Sequence, residues 1–255
     1  MEIHEVSPGV TAFIRPEGGA NVGLIQTSEG IVVIDTTSRE SDIREFLAAA
    51  GVAPSDVCLV CITHSHNDHT KGIPLFDCPI LAHKLTYQRI AKRKSTKLKT
   101  QLLPTKVFED RRNIEIGDRC LEFIHAGGHT PDSSVVWLPE IEVLFAGDLI
   151  FEGRYPFLAT ANVPDLMKAL KWLLTLGAQV IVPGHGLLCA EDTVISQLNY
   201  IELSWNRTAD HIAQGHSIDE ILEDSEYPIH PGLGAERLHK WNIEVMYRQL
   251  KKTAS

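Results

Sequence analysis

The sequence has few of the features that mark membrane-spanning, disulfide-stapled or secreted proteins. No run approaches the roughly 18 consecutive apolar residues that cross a membrane, and the opening MEIHEVSPGV lacks the basic-then-apolar pattern of a signal peptide. Aromatic residues make up only 7% of the 255 residues, and the five cysteines are scattered. We therefore expect a cytoplasmic, globular protein without a disulfide framework.

Positive charge is also scarce. Twenty-four Lys and Arg stand against 33 Asp and Glu, so the formal net charge is −9. Such a surface does not attract nucleic acid or anionic membranes as a whole, so we expect a small-molecule substrate and no membrane partner, and nucleic acid is disfavoured as a partner.

One stretch departs from this acidic balance. Between Cys78 and Phe108 there is no acidic residue, and basic residues accumulate. They are Lys84, Arg89, Lys92, Arg93, Lys94, Lys97, Lys99 and Lys106. The stretch is either a solvated helix and loop or a contact surface for an anionic substrate, and the sequence leaves both interpretations open.

The two parts of the chain differ in pattern. Residues 1–190 are rich in predicted strands, including the hairpin VGLIQ and IVVIDTT, the buried run VCLVCIT, and PILAH, CLEFIHA, SVVWL, EVLFAGD and QVIVPGH. Helices are predicted from about Ser41 to Gly51, with Ser41 as the cap, and from about Pro164 to Leu176. After Glu191 only helices follow. We interpret residues 191–255 as a helical extension of the same domain.

Histidines and aspartates gather at the ends of the predicted strands. THSHNDHTKG follows a buried strand, and AGGHTPDS, LFAGDLIF and VPGHG each place one such residue beside glycine. Imidazole and carboxylate together suit zinc and similar ions, and the set is large enough for two ions with open positions. The seven residues are His64, His66, Asp68, His69, His129, Asp148 and His185.

With Asp35 of IVVIDTT, this order resembles the signature of the metallo-β-lactamase fold superfamily: Asp, His-x-His-x-Asp-His, His, Asp and His. The resemblance implies an α+β fold, a four-layer αββα sandwich with a helical C-terminal extension. It implies that His64, His66 and His129 hold one metal ion, that Asp68, His69 and His185 hold a second, and that Asp148 joins both. Asp35 would lie behind the ligands and fix the metal loop through hydrogen bonds. His125, in CLEFIHA, is expected not to be a ligand.

The resemblance also implies an enzyme. Two divalent ions would hold a bridging hydroxide that attacks an ester-like bond, and Asp68 would orient this nucleophile. Zinc is favoured by the ligand types, but manganese and iron accept the same groups. A metal-binding sensor is the non-enzyme alternative.

Sequence features of individual subfamilies rank the candidate substrates. Asp148 stands where the cysteine-using β-lactamases have Cys, while GHTPDS and LFAGDLIFEGR resemble glyoxalase-II-like thioesterases. Residues 70–72 depart from the glyoxalase pattern, and residues 149–151 lack the tyrosine of the lactonase pattern. Tyr155 lies close enough in sequence to replace that tyrosine. Arg154 is a candidate contact for an anionic substrate. We expect a thioester or carboxyl ester first, then a lactone, with phosphodiesterase, ribonuclease or weak β-lactamase activity as alternatives.

The oligomeric state is open. Trp241 and Met246 are expected to be exposed on the last helix, where they are available for a homo-oligomer contact.

Overall fold

The computed structural model describes residues 2–15, 18–93, 100–230 and 236–253. In these ranges the chain forms two β-sheets and seven α-helices. The strands are β1 (Glu2–Ser7), β2 (Val10–Ile14), β3 (Val22–Thr27), β4 (Gly30–Ile34), β5 (Val57–Ile62), β6 (Ile80–His83), β7 (Lys106–Phe108), β8 (Arg111–Ile116), β9 (Arg119–His125), β10 (Ser134–Leu138), β11 (Val143–Phe151) and β12 (Val180–His185). The helices are α1 (Glu40–Ala49), α2 (Asn67–Thr70), α3 (Lys84–Ala91), α4 (Val163–Leu174), α5 (Glu191–Ala213), α6 (Ile218–Leu222) and α7 (Glu236–Thr253).

The larger sheet runs β1 to β7 in chain order. Strands β1 to β4 pair antiparallel, and the predicted hairpin is confirmed by the pairing of Gly23 with Ile34 through Thr27 with Gly30. From β4 to β7 the pairing is parallel. This change matters for the site because parallel neighbours end at the same edge of a sheet.

The smaller sheet has the order β12-β11-β10-β9-β8. It is antiparallel except for the parallel pair β11 and β12. Strand β8 was not predicted, because its sequence RRNIEI is charged and mostly exposed at an edge, without the apolar alternation of a half-buried strand. Strands β1 and β7, which were also missed, are edge strands of the larger sheet.

Three apolar clusters lie between four layers. The first fills the space between the sheets and includes Phe123 and Phe145. The second lies between the larger sheet and α1 with α3, and the third lies between the smaller sheet and the helices α4, α5 and α7. The αββα sandwich is therefore confirmed. Val194 and Ile201 of α5 share the third cluster with α4, which supports our proposal that 191–255 extends the same domain.

The helix ends agree with the sequence in most places. Asn162 caps α4 by accepting a hydrogen bond from Asp165 N, and Ser217 and Glu220 form the capping box of α6. The prediction that Ser41 caps α1 is wrong. The helix begins at Glu40 after the cap residue Arg39, and the Ser41 hydroxyl instead donates to the Asp42 carboxylate.

The exposures on α7 correct one further expectation. Trp241 is 39% exposed, as expected, but Met246 is fully buried in the cluster under the smaller sheet, so the prediction that it is exposed is wrong. All five cysteines lie in the described ranges and are free thiols. In the described part of the chain, no helix is both long and apolar enough to cross a membrane.

The packing of α1 yields a stability prediction. Phe46 is 2% exposed and its ring stacks on Phe13 at 5.0 Å between centroids. We expect Phe46→Ala to lower the free energy of unfolding by about 3–5 kcal/mol, because it removes a large buried side chain and leaves a cavity. Urea unfolding measures this loss.

The neighbouring exposed residue Glu45 supplies the control, and Glu45→Ala should change the free energy of unfolding by less than about 0.5 kcal/mol. Equal effects of the two substitutions would mean that α1 is not packed on the sheet as described.

Candidate metal centre

The strand ends bring the predicted residues together at one edge of the sandwich. Asp35 follows β4 and His64 lies just beyond β5, the parallel neighbour of β4. Asp148 lies within β11 and His185 ends β12, its parallel partner. The other histidines come from α2 with its cap residue His66 and from the loop between β9 and β10. Short backbone hydrogen bonds join the two sheets at this edge, from Ser134 N to Thr63 O and from Asn21 N to Gly184 O, both 2.9 Å.

The side chains form two groups whose nitrogen and oxygen atoms lie within 4.8 Å of one another in each group. One group is His64, His66, His129 and Asp148, and the other is Asp68, His69 and His185. All seven predicted ligand residues are therefore in one of the two groups. The structure places His125 elsewhere, with its ring stacked on His83 at 3.8 Å.

Asp148 stands between the groups. Its Oδ2 faces the first group, at 3.6 Å from His64 Nε2 and 3.4 Å from His129 Nε2, with His66 Nδ1 at 4.0 Å. Its Oδ1 faces the second group, at 3.1 Å from His69 Nε2 and 3.4 Å from His185 Nε2. Each carboxylate oxygen thus points at a different set of imidazoles.

Hydrogen bonds at the rear fix the ring orientation of four histidines. His129 Nδ1 donates to Phe157 O and His185 Nδ1 donates to Gly19 O, both at 3.1 Å. A neutral imidazole that donates from Nδ1 carries a lone pair on Nε2. These hydrogen bonds therefore direct Nε2 of both rings, as an acceptor, toward the candidate metal centre. His64 Nδ1 likewise contacts Thr63 Oγ1 at 3.1 Å.

Asp35 holds the fourth ring and the loop itself. Its Oδ2 accepts from His69 Nδ1 at 2.8 Å and from Thr63 Oγ1 at 2.6 Å, while its Oδ1 accepts from Thr63 N at 2.7 Å. Asp35 has φ of 59°, a left-handed conformation that aspartate tolerates better than most residues. It lies behind the two groups, where it orients His64 and His69.

The donor atoms fit a divalent cation. Within the described chain, His64 Nε2, His69 Nε2 and Asp148 Oδ1 are buried and make no well-aligned hydrogen bond, although the last two atoms lie 3.1 Å apart. Buried polar atoms are otherwise almost always paired, so convergent unpaired acceptors favour a bound ion.

The electrostatics of the centre agree with this interpretation. Burial, with repulsion from His69, holds the pKa of His64 well below its ordinary value, and burial lowers the pKa of His129 to about 4. Burial opposes charge on His185 too, but Asp148 outweighs it and raises that pKa to about 9. The negative charge of Asp148 thus demands a positive partner, which is a proton without metal and a cation with it.

A cavity of about 560 Å³ opens beside the two groups. Both predicted substrate contacts line it: Arg154 is half-buried, and Tyr155 is buried with its ring 5.1 Å from that of Tyr200. Sequence analysis missed the other wall residues that are not ligands, which are Asn67, Phe151, Phe157, Thr160 and Leu238. No motif marks them, because fold-level packing alone brings them to the cavity.

The basic stretch divides into separate parts. Arg89, Lys92 and Arg93 line a groove of about 380 Å³ together with residues 65–67 of the metal loop. Lys84 instead pairs with Glu109 at 2.9 Å, and Lys106 is exposed on β7. Lys94, Lys97 and Lys99 lie outside the described residues.

Comparisons with known proteins identify the family and the fold. The family model for the metallo-beta-lactamase superfamily matches residues 15–185. A Caenorhabditis elegans protein named beta-lactamase-like protein 2 homolog is 28% identical over 210 residues, which cover 80% of this chain and 68% of the relative. The human protein named acyl-coenzyme A thioesterase MBLAC2 is 26% identical over 210 residues, 68% of this chain and 75% of its own.

Solved structures give the same fold. A metallo-beta-lactamase from Pontibacter korlensis superposes with a TM-score of 0.69 at 24% identity, over 79% of this chain and 98% of that one.

The close approach of two strands at Asp148 generates a prediction. A Cβ atom at Gly184 would lie 2.0 Å from Asp148 Oδ1 and 2.7 Å from the Gly147 carbonyl carbon. We expect Gly184→Ala to displace the carboxylate and to weaken zinc binding by at least about 10–100-fold, the effect of disturbing the groups that orient ligands. Competitive zinc titration measures the change.

Gly177→Ala is the matched control, because Gly177 also has an unusual backbone, with φ of 68°, but open space around its Cβ position. It should lose roughly 1–2 kcal/mol of stability and keep its zinc affinity. Unchanged zinc affinity in Gly184→Ala would contradict the placement of Asp148.

Proposed function

The chain belongs to the metallo-β-lactamase superfamily and is a metal-dependent hydrolase, and from this premise we propose that it cleaves thioester or carboxyl ester bonds with two divalent ions. The observation that carries the two-ion part of the proposal is the position of Asp148, whose two oxygens face two separate sets of imidazoles. A single ion would leave one set of buried acceptors without a partner.

The proposed ligand sets follow from these distances. His64, His66 and His129 would hold one ion, Asp68, His69 and His185 would hold the other, and Asp148 would be shared. Neutral imidazole and carboxylate ligands favour zinc, while manganese and iron accept the same donors. The cytoplasmic location and a homo-oligomer stay predictions.

The bound ions would supply Lewis acidity and lower the pKa of water toward neutrality. The chain itself provides the acid–base group and the walls of the substrate cavity. Asp68 is 39% exposed at the cavity with Oδ2 3.4 Å from His185 Nε2. Burial would raise the pKa of Asp68, but the hydrogen bond with His185 and the charge of His69 outweigh burial and lower it to about 2. Asp68 is therefore a carboxylate that can orient attacking water through a hydrogen bond.

The cavity walls favour an acyl compound with a charged portion. Phe157 and Leu238 provide apolar surface, and the Phe157 ring packs against Trp241 at 5.4 Å between centroids. Arg154 offers a guanidinium beside the same cavity, suited to a phosphate or carboxylate. These contacts, with a relative named acyl-coenzyme A thioesterase, support a thioester first and a lactone second.

Other candidates rank lower. Phosphodiesterase, ribonuclease and weak β-lactamase activity stay alternatives, and type 2 metallo-beta-lactamases are among the relatives, for example one from Bacillus cereus at 27% identity. The sensor alternative is set aside, since the chain is a hydrolase.

Removing the shared carboxylate tests the proposal. We expect Asp148→Asn to reduce turnover of acyl-coenzyme A and p-nitrophenyl acetate by at least about 10²–10³-fold, because the substitution removes the charge that both groups face. Metal analysis of the purified variant should show less than the wild-type metal content. Chelation should abolish wild-type turnover, and added zinc should restore it.

Asp165→Asn, on the exposed first turn of α4, is the matched control and should leave turnover and metal content unchanged. Full activity and two bound ions in Asp148→Asn would sink the ligand assignment. Strong turnover of bis-p-nitrophenyl phosphate with none of either ester would overturn the choice of bond.

Arg154 gives a separate prediction about binding. We expect Arg154→Ala to raise KM for acyl-coenzyme A by about tenfold, the loss of one charge-assisted hydrogen bond. KM for the uncharged p-nitrophenyl acetate should stay unchanged. Arg112→Ala, on exposed β8, controls for the loss of one positive charge. If Arg154→Ala and Arg112→Ala have the same KM values, Arg154 is not a substrate contact.

A further inference from the structure

We propose that the groove between α3 and the metal loop binds a phosphate group carried by the leaving portion of the substrate. We name it the α3 groove, and its lining residues are Ser65, His66, Asn67, Arg89, Lys92 and Arg93. The inference rests on the proposed function, because it assigns one end of the same substrate.

The cations of the groove lie at the C-terminal end of α3. Arg89 is in the last turn of the helix, Lys92 is its C-terminal cap residue and Arg93 follows the cap. All three side chains line the same groove. The described lining of the groove contains no carboxylate, in a chain whose formal net charge is −9. The groove is therefore a local positive site on an acidic protein.

The two arginines are held in place. Arg89 Nε donates to Ser65 Oγ at 2.9 Å and lies 2.9 Å from Asp132 Oδ1. Asp132 is fully buried, and its other oxygen accepts from Thr86 Oγ1 at 2.9 Å. Arg93 donates to the Ser65 carbonyl oxygen. Side chains fixed in this way lose little conformational entropy when an anion binds.

The charges suit phosphate. Asp132 offsets one of the three cations, which leaves an excess of two positive charges. Arginine forks bind phosphate oxygens through paired N–H donors, and Lys92, which is exposed, adds a point charge that can follow a mobile group.

The position of the groove connects it to the reaction. His66 and Asn67 line both the α3 groove and the cavity that contains Asp68, Asp148 and Arg154. A thioester at the metal centre can therefore extend its leaving portion over His66 into the groove. The apolar wall at Phe157 and Leu238 then remains for the acyl chain.

Binding of the zinc-loaded protein to adenosine 3′,5′-bisphosphate, measured by calorimetry, tests the groove without turnover. Adenosine is the uncharged comparison. We expect Lys92→Glu to weaken bisphosphate binding by at least about tenfold, because it reverses a charge beside the anion. Lys106→Glu is the matched control, since it makes the same charge change in the same basic stretch but outside the groove. It should bind as the wild type does.

Kinetics then link the groove to the substrate. Lys92→Glu should raise KM for acyl-coenzyme A by a similar factor, and leave kcat/KM for the acyl N-acetylcysteamine thioester, which has no phosphate, unchanged. Equal effects of Lys92→Glu and Lys106→Glu would overturn the proposal. Bisphosphate binding that needs zinc but is not weakened by Lys92→Glu would also overturn it, because the phosphates would then bind the metal and not the groove. Failure of the proposed function would give a different result: neither thioester would be turned over, although the bisphosphate would still bind in the groove.

Discussion

The arrangement depends on one buried carboxylate. Asp148 is 5% exposed and lies among five imidazoles, with one oxygen directed to each of two groups. A buried charge without a partner costs several kcal/mol. Burial lowers the pKa of His64 and of His129, so these two imidazoles do not balance Asp148, whereas Asp148 raises the pKa of His185 to about 9 and holds that of His69 well above its ordinary value. Without a metal ion, protons on His69 and His185 balance the charge of Asp148, and a bound cation would take their place.

The fold meets this requirement by joining two sheets at one edge. Parallel strands β4 and β5 end beside parallel strands β11 and β12, and hydrogen bonds from Ser134 to Thr63 and from Asn21 to Gly184 hold the edges together. The close approach requires Gly184, since any Cβ there would meet Asp148. Asp35 then uses both oxygens to fix Thr63 and His69, so that the loop after β5 has one orientation.

Much of this could be predicted from the sequence, for a physical reason. His64 and His185 stand where apolar runs end, and parallel strands bring such ends together, so residue type and position were enough to choose them. The role of Asp132, in GHTPDS, could not be predicted from the sequence, because its partners Arg89 and Thr86 are more than forty residues away. Phe157 was missed for a similar reason, since a single aromatic residue in a loop carries no periodic signal. The edge strand β8 lacked the apolar alternation by which strands are recognised.

The contacts of Ser65 tie substrate binding to the geometry of the centre. Ser65 stands between His64 and His66, and both its hydroxyl and its carbonyl oxygen accept hydrogen bonds from arginines of the α3 groove. An anion that draws Arg93 or Arg89 outward would weaken these bonds, while one that binds without moving them would leave the loop in place. Because Asp132, which accepts a hydrogen bond from Thr86, fixes Arg89, binding without movement of the arginines costs less. The buried carboxylate Asp132 thus holds Arg89, and through it Ser65, in place, while Asp35 holds Thr63 and His69 of the same loop.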